Sequence, residues 1–444
     1  MGQGRSGSLE CAWAPSAIAS IVQSLVVFTA CLLLWLQPVQ CLKLPGNLQL
    51  ADFASIVFMP LCWGWLVQTR RPLRLPLLGP MLGILCITGI SSVVSRDPSA
   101  GAIVLVTELY LYLWFATLAL LFGSADEASV RKLLWVWVLS GLANGALILC
   151  QFAHPPLLAT MNGILGGRGA LDPFRPSGLF ENCNSASLFQ LSAFVPLLTL
   201  RLPERATAGL AAILLVMMLG TGSMGGALAF VTGTALMMAS LVVLRNQPRA
   251  FLRYIALGLV SLVVLALVVA VLLMVMPSMQ HRIEYVLTGR SEGSASSRFG
   301  LWQRGLDILL RDLPAVGVGP DVFKSIAGFG MHNDILSFAV ERGLLGVLFL
   351  VMFTVAAAVH AVQLARDPDA HSGNAALVHG AMLCGLIAIA QTHEIFHQRP
   401  LWMMLALQEG MWWRMVQRRS PGTGGELHPV PGEAQTGAEE RTSN

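Results

Sequence analysis

Apolar stretches long enough to cross a lipid bilayer recur along this chain from residue 17 to residue 417. A helix needs about 20 mainly apolar residues to span the hydrocarbon core, where no water can satisfy free backbone groups. The block 207–244 is interrupted by the glycine-rich run 220–226, which predicts two helices joined by a tight hairpin. The pattern predicts an all-α polytopic membrane protein with about 12 transmembrane helices. The other stretches lie near 17–36, 50–68, 76–94, 100–122, 131–153, 184–200, 252–276, 343–364, 375–392 and 400–417.

Composition agrees with a membrane-embedded chain. Hydrophobic residues make up 55% of the sequence and charged residues only 12%, whereas soluble domains carry about 25% charged residues. The net charge of +4 is too small to indicate a nucleic-acid partner. The eight cysteines include no C-x-x-C pair and fall mostly in apolar segments. We therefore interpret them as packing residues and predict no disulfide.

Basic residues set the predicted orientation. Arginine and lysine cluster in the loops at 70–74, 131–132, 201–205 and 245–253, and at the C-terminal end of the last apolar stretch. The short loops between these hold little beyond Lys43, Arg96 and Arg399. The positive-inside rule then places both termini in the cytoplasm and the loops 154–183 and 277–334 outside. Long loops are exempt from this rule, so the arginines of 277–334 do not contradict it.

These features divide the chain into four parts. Residues 1–276 form an N-terminal transmembrane bundle of about nine helices, which includes the outward loop 154–183. Residues 277–334 form a long periplasmic loop with short amphipathic helices, and 335–418 return to the membrane. Residues 419–444 are rich in Gly, Pro and Glu and are predicted to be a disordered cytoplasmic tail.

Two short helices are predicted inside the long loop. Ser296 and Ser297 can cap a helix over 298–312, and apolar residues recur there at spacings of four, three and four. A second helix is expected over 321–329. Asn333 or Asp334 then supplies the cap of the helix that enters the bilayer. The apolar face of the first helix comprises Trp302, Leu306, Leu309 and Leu313.

The outward loops concentrate residues suited to an anionic substrate. His332 would lie beside a helix N-terminus, which disfavours the imidazolium and keeps the ring available as a base. Arg290 and Arg298 precede it in the same loop, and Arg175 lies in the other outward loop between Pro and Gly residues that fix the backbone. Guanidinium groups bind phosphate oxygens through a rigid fork of donors. Asn182 and Asn184 can be helix caps instead of ligands.

Structural roles are the alternative for several polar residues. His332 can be a satisfied histidine at a helix start, and Arg304 and Arg311 suit a solvated helix face. Glu108 and Asp52, within predicted spans, could line the acceptor cavity or pair with an arginine from the long loop, and the pairing is favoured. Glu341 and Arg342 suit a local ion pair.

One further motif, His393-Glu394-Ile395-Phe396-His397, matches the H-E-x-x-H pattern of zinc proteases. Pro400 interrupts the helix that the zinc site would need, and only Glu409 offers itself as a third ligand. We therefore predict no metal site. Participation of His393 and His397 in the outward site stays open.

Several of these residues resemble the signature domain shared by O-antigen ligases and related polymerases. Residues 175–184 are similar to the preceding outward loop of that family, so the resemblance covers roughly residues 170–365. The motifs are Arg298-x-x-x-Trp302, Pro314-x-x-Gly317-x-Gly319-Pro320, His332-Asn333 and Glu341-x-Gly343-x-x-Gly346.

The resemblance implies a glycosyltransferase at the periplasmic face of the bacterial inner membrane, with no cofactor. Its donor would be a glycan on undecaprenyl diphosphate, and its acceptor a hydroxyl of lipid A-core or of a growing glycan. His332 would activate the acceptor, with Asn333 and Glu341 in support. Arg175, Arg298 and Arg290 would hold the diphosphate, which needs cations when no metal is bound.

Two alternatives stay open at this point. A polymerase that extends repeat units would use the same chemistry as a ligase, although the ligase is favoured. A twelve-helix transporter predicts two related halves around a central loop, and this sequence has no visible half-repeat.

Overall fold

Helix is the regular secondary structure of the residues that the structure describes, and they contain no strand. This structure, a computed structural model, describes residues 17–40, 49–164, 176–243, 252, 292–311, 315–367, 380–381, 383–385, 387, 390 and 394–419. The helices in these ranges are α1 (Ala17–Leu36), α2 (Leu50–Gln68), α3 (Leu78–Val94), α4 (Pro98–Ser124), α5 (Glu127–Ala153), α6 (Pro155–Ile164), α7 (Cys183–Thr199), α8 (Glu204–Gly220), α9 (Met224–Val243), α10 (Glu292–Arg311), α11 (Val322–Ala327), α12 (Asp334–Ala365) and α13 (Arg399–Arg419).

Five of these helices are long and apolar enough to cross a membrane: α1, α2, α4, α5 and α12. Shorter apolar helices occur at Leu78–Val94 and Gly225–Ser240. The protein is therefore a helical membrane protein, while the described part of the chain falls short of the predicted total of about 12 spans. All of the predicted span 252–276 except Leu252, and most of 375–392, lie outside the described residues, as do the loop segments 277–291 and 312–314 and the tail after Arg419.

The predicted hairpin between 207 and 244 is present. Helix α8 ends at Gly220 and α9 begins at Met224, with a turn between them. Gly222 has φ +65°, a left-handed conformation that costs a residue with a side chain about 1–2 kcal/mol. The local glycine pattern was therefore enough to divide this apolar block correctly.

Helix α13 lies in the middle of the described bundle and packs against α4, α7 and α12. Every residue from Pro400 to Gly410 is buried, as expected for a helix with neighbours on all sides. Trp402 anchors it, because its ring contacts Phe115 of α4 and Phe353 of α12, and its indole N–H donates to the Phe396 carbonyl at 2.6 Å. The core thus holds the segment before α13 in a fixed position.

Helix α12 is broken at Gly343, which has φ 67° and ψ −169°. The break frees the carbonyls of Val340 and Glu341, which accept hydrogen bonds from Val318 N–H at 2.9 Å and Gly319 N–H at 3.0 Å. A Cβ on Gly343 would lie 2.3 Å from the Ala315 backbone, and one on Gly317 would lie 2.4 Å from Glu341. The two glycine motifs therefore fit against each other and fix the outer end of α12.

The amphipathic helix α10 differs from its prediction. It begins at Glu292, so Ser296 and Ser297 lie inside it and do not cap it. Trp302 and Leu309 pack on the small core of Phe323, Met331 and Val340, as predicted.

Leu306, however, is 44% exposed and does not pack on this core; Leu313 lies outside the described residues. The contact face is centred on Gly305, where a Cβ would lie 2.5 Å from the Met331 side chain. A glycine carries no hydrophobic signal, so the periodicity placed the face too far around the helix.

Candidate functional site

His332 lies in the short connection between α11 and α12. Its φ of 54° turns the chain sharply, and its backbone N–H donates to Glu394 Oε1 at 3.1 Å. The preceding residue is held as well, because the Trp302 indole N–H donates to the Met331 carbonyl at 3.0 Å. His332 itself is partly buried. The surrounding contacts therefore fix the backbone that carries the imidazole.

Arg298 and Glu394 act on the charge of the His332 ring. The pKa of His332 is lowered from its ordinary value, first because burial disfavours the imidazolium and then because the Arg298 cation repels it. The Glu394 carboxylate works in the opposite direction without reversing the shift. The sequence argument predicted a neutral ring, and the direction agrees. The structure thus places the Arg298 cation close enough to His332 to act on the charge of its ring.

Asn333 is the cap of α12. Its side-chain oxygen accepts the Leu336 N–H at 2.9 Å, which satisfies one of the free donors at the helix start. Asp334 has a different role. Its carboxylate accepts hydrogen bonds from the N–H groups of Ile395 at 3.0 Å and Phe396 at 3.1 Å. Its own N–H donates to the Ala390 carbonyl at 2.8 Å. Asp334 therefore ties the start of α12 to the segment before α13.

The segment Glu394 to Gln398 is not helical, so the H-E-x-x-H motif does not present its residues as a zinc-protease helix would. Glu394 accepts from His332 N–H, and His397 Nε2 lies 3.3 Å from Glu108 Oε1. Glu409, the suggested third ligand, is bonded to His360 instead. Among the described residues no group of three His, Cys, Asp or Glu side chains could hold a metal; His393 lies outside them.

A network of buried charged and polar side chains connects α3, α4 and α12. Arg342 donates to Glu108 at 2.5 Å, to Thr88 at 2.9 Å and to Glu341 at 3.2 Å. Glu108 also accepts from Thr88 at 2.8 Å. The predicted pairing of Glu341 with Arg342 is thus confirmed, but Glu108 is the closer partner. Glu341 is therefore part of this network.

Asp52 pairs with Arg399 and accepts from the Tyr110 hydroxyl at 2.7 Å, so its predicted structural pairing is also present. The arginine partners of both Asp52 and Glu108 come from elements other than the outward loops. Sequence reasoning foresaw the pairing but had no signal for these partners, which are separated from the acids by more than two hundred residues.

Arg175 and Arg290 lie outside the described residues. The chain that follows Arg175 is nevertheless well anchored, because Gln151 Oε1 accepts the N–H groups of Ser177 at 3.2 Å and Gly178 at 2.8 Å. Asn144 accepts the Leu179 N–H at 2.9 Å. These two buried amides of α5, which sequence reasoning did not single out, hold the end of the second outward loop.

The same loop end connects to the His332 region through Gln398. Asn182 caps α7 by accepting the Ser185 N–H at 2.8 Å, as predicted, whereas Asn184 lies within α7 and accepts from Ser223 at 2.9 Å. The Ser185 hydroxyl donates to Gln398 Oε1 at 3.0 Å. The segment 394–398 therefore contacts both the start of α7 and the backbone of His332.

An apolar cavity of about 160 Å³ opens beside the site. It begins at Asp334 and Ile335 and continues between α12 and α13 past Phe353 to Leu405. Asp334 is its one charged lining residue, and this carboxylate is already bonded to backbone N–H groups. The cavity offers a hydrocarbon-lined space that begins two residues from His332.

The comparisons with known proteins bear on this geometry. Residues 209–351 match the family model described as O-Antigen ligase. This stretch of the chain is of the O-antigen ligase superfamily. No curated protein matches the chain. The O-antigen ligase segment begins within α8 and contains α9 to α11, Arg298, His332 and the broken start of α12, while Arg175 lies outside its bounds.

Proposed function

We propose that this protein is a membrane glycosyltransferase that moves a glycan from undecaprenyl diphosphate to an acceptor hydroxyl at the periplasmic face of the inner membrane. The acceptor is lipid A-core, so the reaction is O-antigen ligation with inversion and without a metal. The observation that carries the proposal is the location of His332. It stands at the start of α12, inside the O-antigen ligase segment, with its imidazolium disfavoured by burial and by Arg298.

In this reaction the neutral imidazole of His332 accepts the proton of the acceptor hydroxyl. The acceptor oxygen bonds to the anomeric carbon as the bond from that carbon to the diphosphate oxygen breaks. The bonding electrons leave with undecaprenyl diphosphate, which gains one negative charge. Arg298, together with Arg175 and Arg290, offsets this charge. The proton on His332 then passes to solvent and restores the base.

The apolar cavity between α12 and α13 supports a lipid-linked donor. Its lining would receive the hydrocarbon chain while the diphosphate lies near the start of α12, where helix N–H groups favour anions. Asn333 and Asp334 support that helix start by their hydrogen bonds. A lipid tail and a diphosphate would thus be held at adjacent places.

The test is transfer in vitro with the purified full-length protein, undecaprenyl-diphosphate glycan and lipid A-core. We expect His332→Ala to lower the transfer rate by at least about a hundredfold, the lower end of general-base contributions. Arg298→Gln should lower it as well. Arg304→Gln is the matched control on α10, because Arg304 is exposed, and it should transfer at the wild-type rate. Wild-type rates in a folded His332→Ala protein would refute the proposal.

The products distinguish the two members of the superfamily. Glycan attached to lipid A-core identifies a ligase, whereas longer glycan still linked to undecaprenyl diphosphate identifies a repeat-unit polymerase. The O-antigen ligase segment favours either enzyme over the twelve-helix transporter.

A further inference from the structure

A second cavity, of about 170 Å³, lies at the other end of α12 from His332. One of its lining residues, His360, is 26 residues beyond Asp334, roughly 40 Å along the helix at 1.5 Å per residue. The cavity is therefore separate from the candidate catalytic site. Its lining includes Arg74, His360, Glu409, Trp412 and Trp413.

Arg74 contributes the positive charge of this cavity. Its guanidinium carbon lies 4.7 Å from the Trp412 ring centroid and 5.4 Å from that of Trp413, within the range of cation–π contacts. Among the residues that the structure describes, no carboxylate forms an ion pair with Arg74. The indole faces hold the planar group in place, and its N–H donors remain available to an anion.

Glu409 contributes the negative charge from the inside. It is 2% exposed, and His360 Nδ1 lies 2.8 Å and 2.9 Å from its two oxygens. The His360 ring is stacked on Trp412 at 3.8 Å between centroids. A carboxylate offers about four acceptor positions, and Gln408 also donates to this one, at 3.4 Å. Acceptor capacity therefore remains on the cavity side.

The cavity is a fixed feature of the α2–α3 connection. Leu77, buried in the core, has φ 52°, and the Tyr112 hydroxyl donates to the Pro76 carbonyl at 3.0 Å. At the start of the connection the Arg71 N–H donates to the Leu66 carbonyl at 2.9 Å. These bonds hold Arg74 over the α13 indoles.

We propose that this cavity binds the headgroup of a phospholipid that carries both a phosphate and a primary ammonium. The phosphate lies at Arg74, and the ammonium donates to Glu409. One cation and one carboxylate match such a zwitterion, whereas a headgroup with a phosphate but no ammonium would satisfy Arg74 and offer no positive charge to Glu409. The cavity is smaller than the roughly 300–1,000 Å³ of drug-sized pockets, which suits a headgroup. Trp412 and Trp413 suit the membrane interface, where indoles concentrate.

The proposal goes beyond the transferase function and is tested by binding alone. The full-length protein in detergent is titrated with phosphatidylethanolamine, phosphatidylglycerol and phosphatidylcholine of identical acyl chains, and bound lipid is measured by native mass spectrometry. We expect phosphatidylethanolamine to bind most tightly. Arg74→Gln should weaken it about tenfold, the loss of one charge-assisted hydrogen bond. Arg71→Gln is the matched control, because Arg71 is exposed in the same loop and does not line the cavity.

A second variant tests the ammonium end. Glu409→Gln keeps an acceptor for His360 but removes the charge, and should abolish the preference for phosphatidylethanolamine over phosphatidylcholine. Equal binding of phosphatidylglycerol and phosphatidylethanolamine to the native protein would overturn the proposal, as would an unchanged affinity in Arg74→Gln. Displacement of the lipid by equimolar soluble phosphoethanolamine would also overturn it, because the occupant would then be a free metabolite.

Discussion

Arg342 of α12 and Glu108 of α4 form an ion pair of 2.5 Å in the protein interior, where their side chains are 1% and 0% exposed. Thr88 of α3 bonds to both side chains, and His397 lies 3.3 Å from the same carboxylate. The pair thus joins α3, α4 and α12 to the segment before α13. It connects the bundle to the backbone that carries the candidate site.

Replacing one partner of this pair should destabilise the fold more than replacing both partners. Glu108→Gln or Arg342→Met alone leaves a buried charge poorly compensated, at a cost of about 3–5 kcal/mol. The double variant leaves no buried charge in the pair, so its loss should be smaller than the sum of the single losses by about 2 kcal/mol or more. Thermal unfolding in detergent measures all three. Strictly additive losses would show that the pair is not coupled.

Gly343→Ala should disrupt the break in α12. The substitution forces a side chain onto φ 67° and places its Cβ 2.3 Å from the Ala315 backbone. Gly328→Ala is the matched control, because Gly328 has φ 78° but nothing within 4 Å of a built Cβ. We expect about 1 kcal/mol of destabilisation at Gly328 from backbone strain alone and at least about 3 kcal/mol at Gly343, where overpacking adds to it. Equal losses would mean that the clash relaxes without cost.

The pH dependence of transfer should report His332. Because its folded-state pKa lies below the ordinary value of 6.5, the rate should hold as pH falls to 6.5 and decline only below it. Arg298→Gln removes a repelling cation and should move this decline to higher pH, whereas Glu394→Gln removes an attracting anion and should move it lower. A pH–rate profile for each variant measures the shifts. Identical profiles would exclude His332 as the titrating group.

The lowered pKa of His332 also determines how this residue makes stability depend on pH. Because the folded protein disfavours the imidazolium, the contribution of His332 to stability is present above the unfolded pKa and is lost as pH falls through the two pKa values. His332→Gln should therefore reduce the loss of thermal stability between pH 7 and pH 5. If the thermal stability of His332→Gln depends on pH as that of the native protein does, other groups cause the loss of stability at low pH.

Asn333 should matter first as a helix cap. Asn333→Ala removes the acceptor of the Leu336 N–H and should cost about 1 kcal/mol, whereas Asn333→Ser keeps an oxygen there and should cost little. Thermal unfolding measures the cost, and transfer by the Ser variant separates capping from catalysis. Loss of transfer in a stable Asn333→Ser protein would give the amide a role beyond the cap.

Much of the fold could be predicted from the sequence, because the patterns that indicate its helices and turns are local. Apolar runs of bilayer length gave α1, α2 and α5 within a few residues, and the glycines near 222 gave the turn between α8 and α9. The cap at Asn333 was likewise predictable from neighbouring residues, whereas the turn at His332 was not predicted. Helix α10 was placed less well because its contact face is centred on Gly305, which no hydrophobic pattern reveals.

What the sequence by itself determined is the set of apolar helices, the superfamily motifs and the conjunction of His332 with Arg298. Only the tertiary structure decided the partners of the charged side chains: Arg342 with Glu108, Arg399 with Asp52, and Glu394 with the His332 backbone. The physical reason is the separation along the sequence of the residues that interact. Helix formation and capping depend on residues a few positions apart, whereas a buried charge takes whichever opposite group the packing of distant helices brings within hydrogen-bond distance.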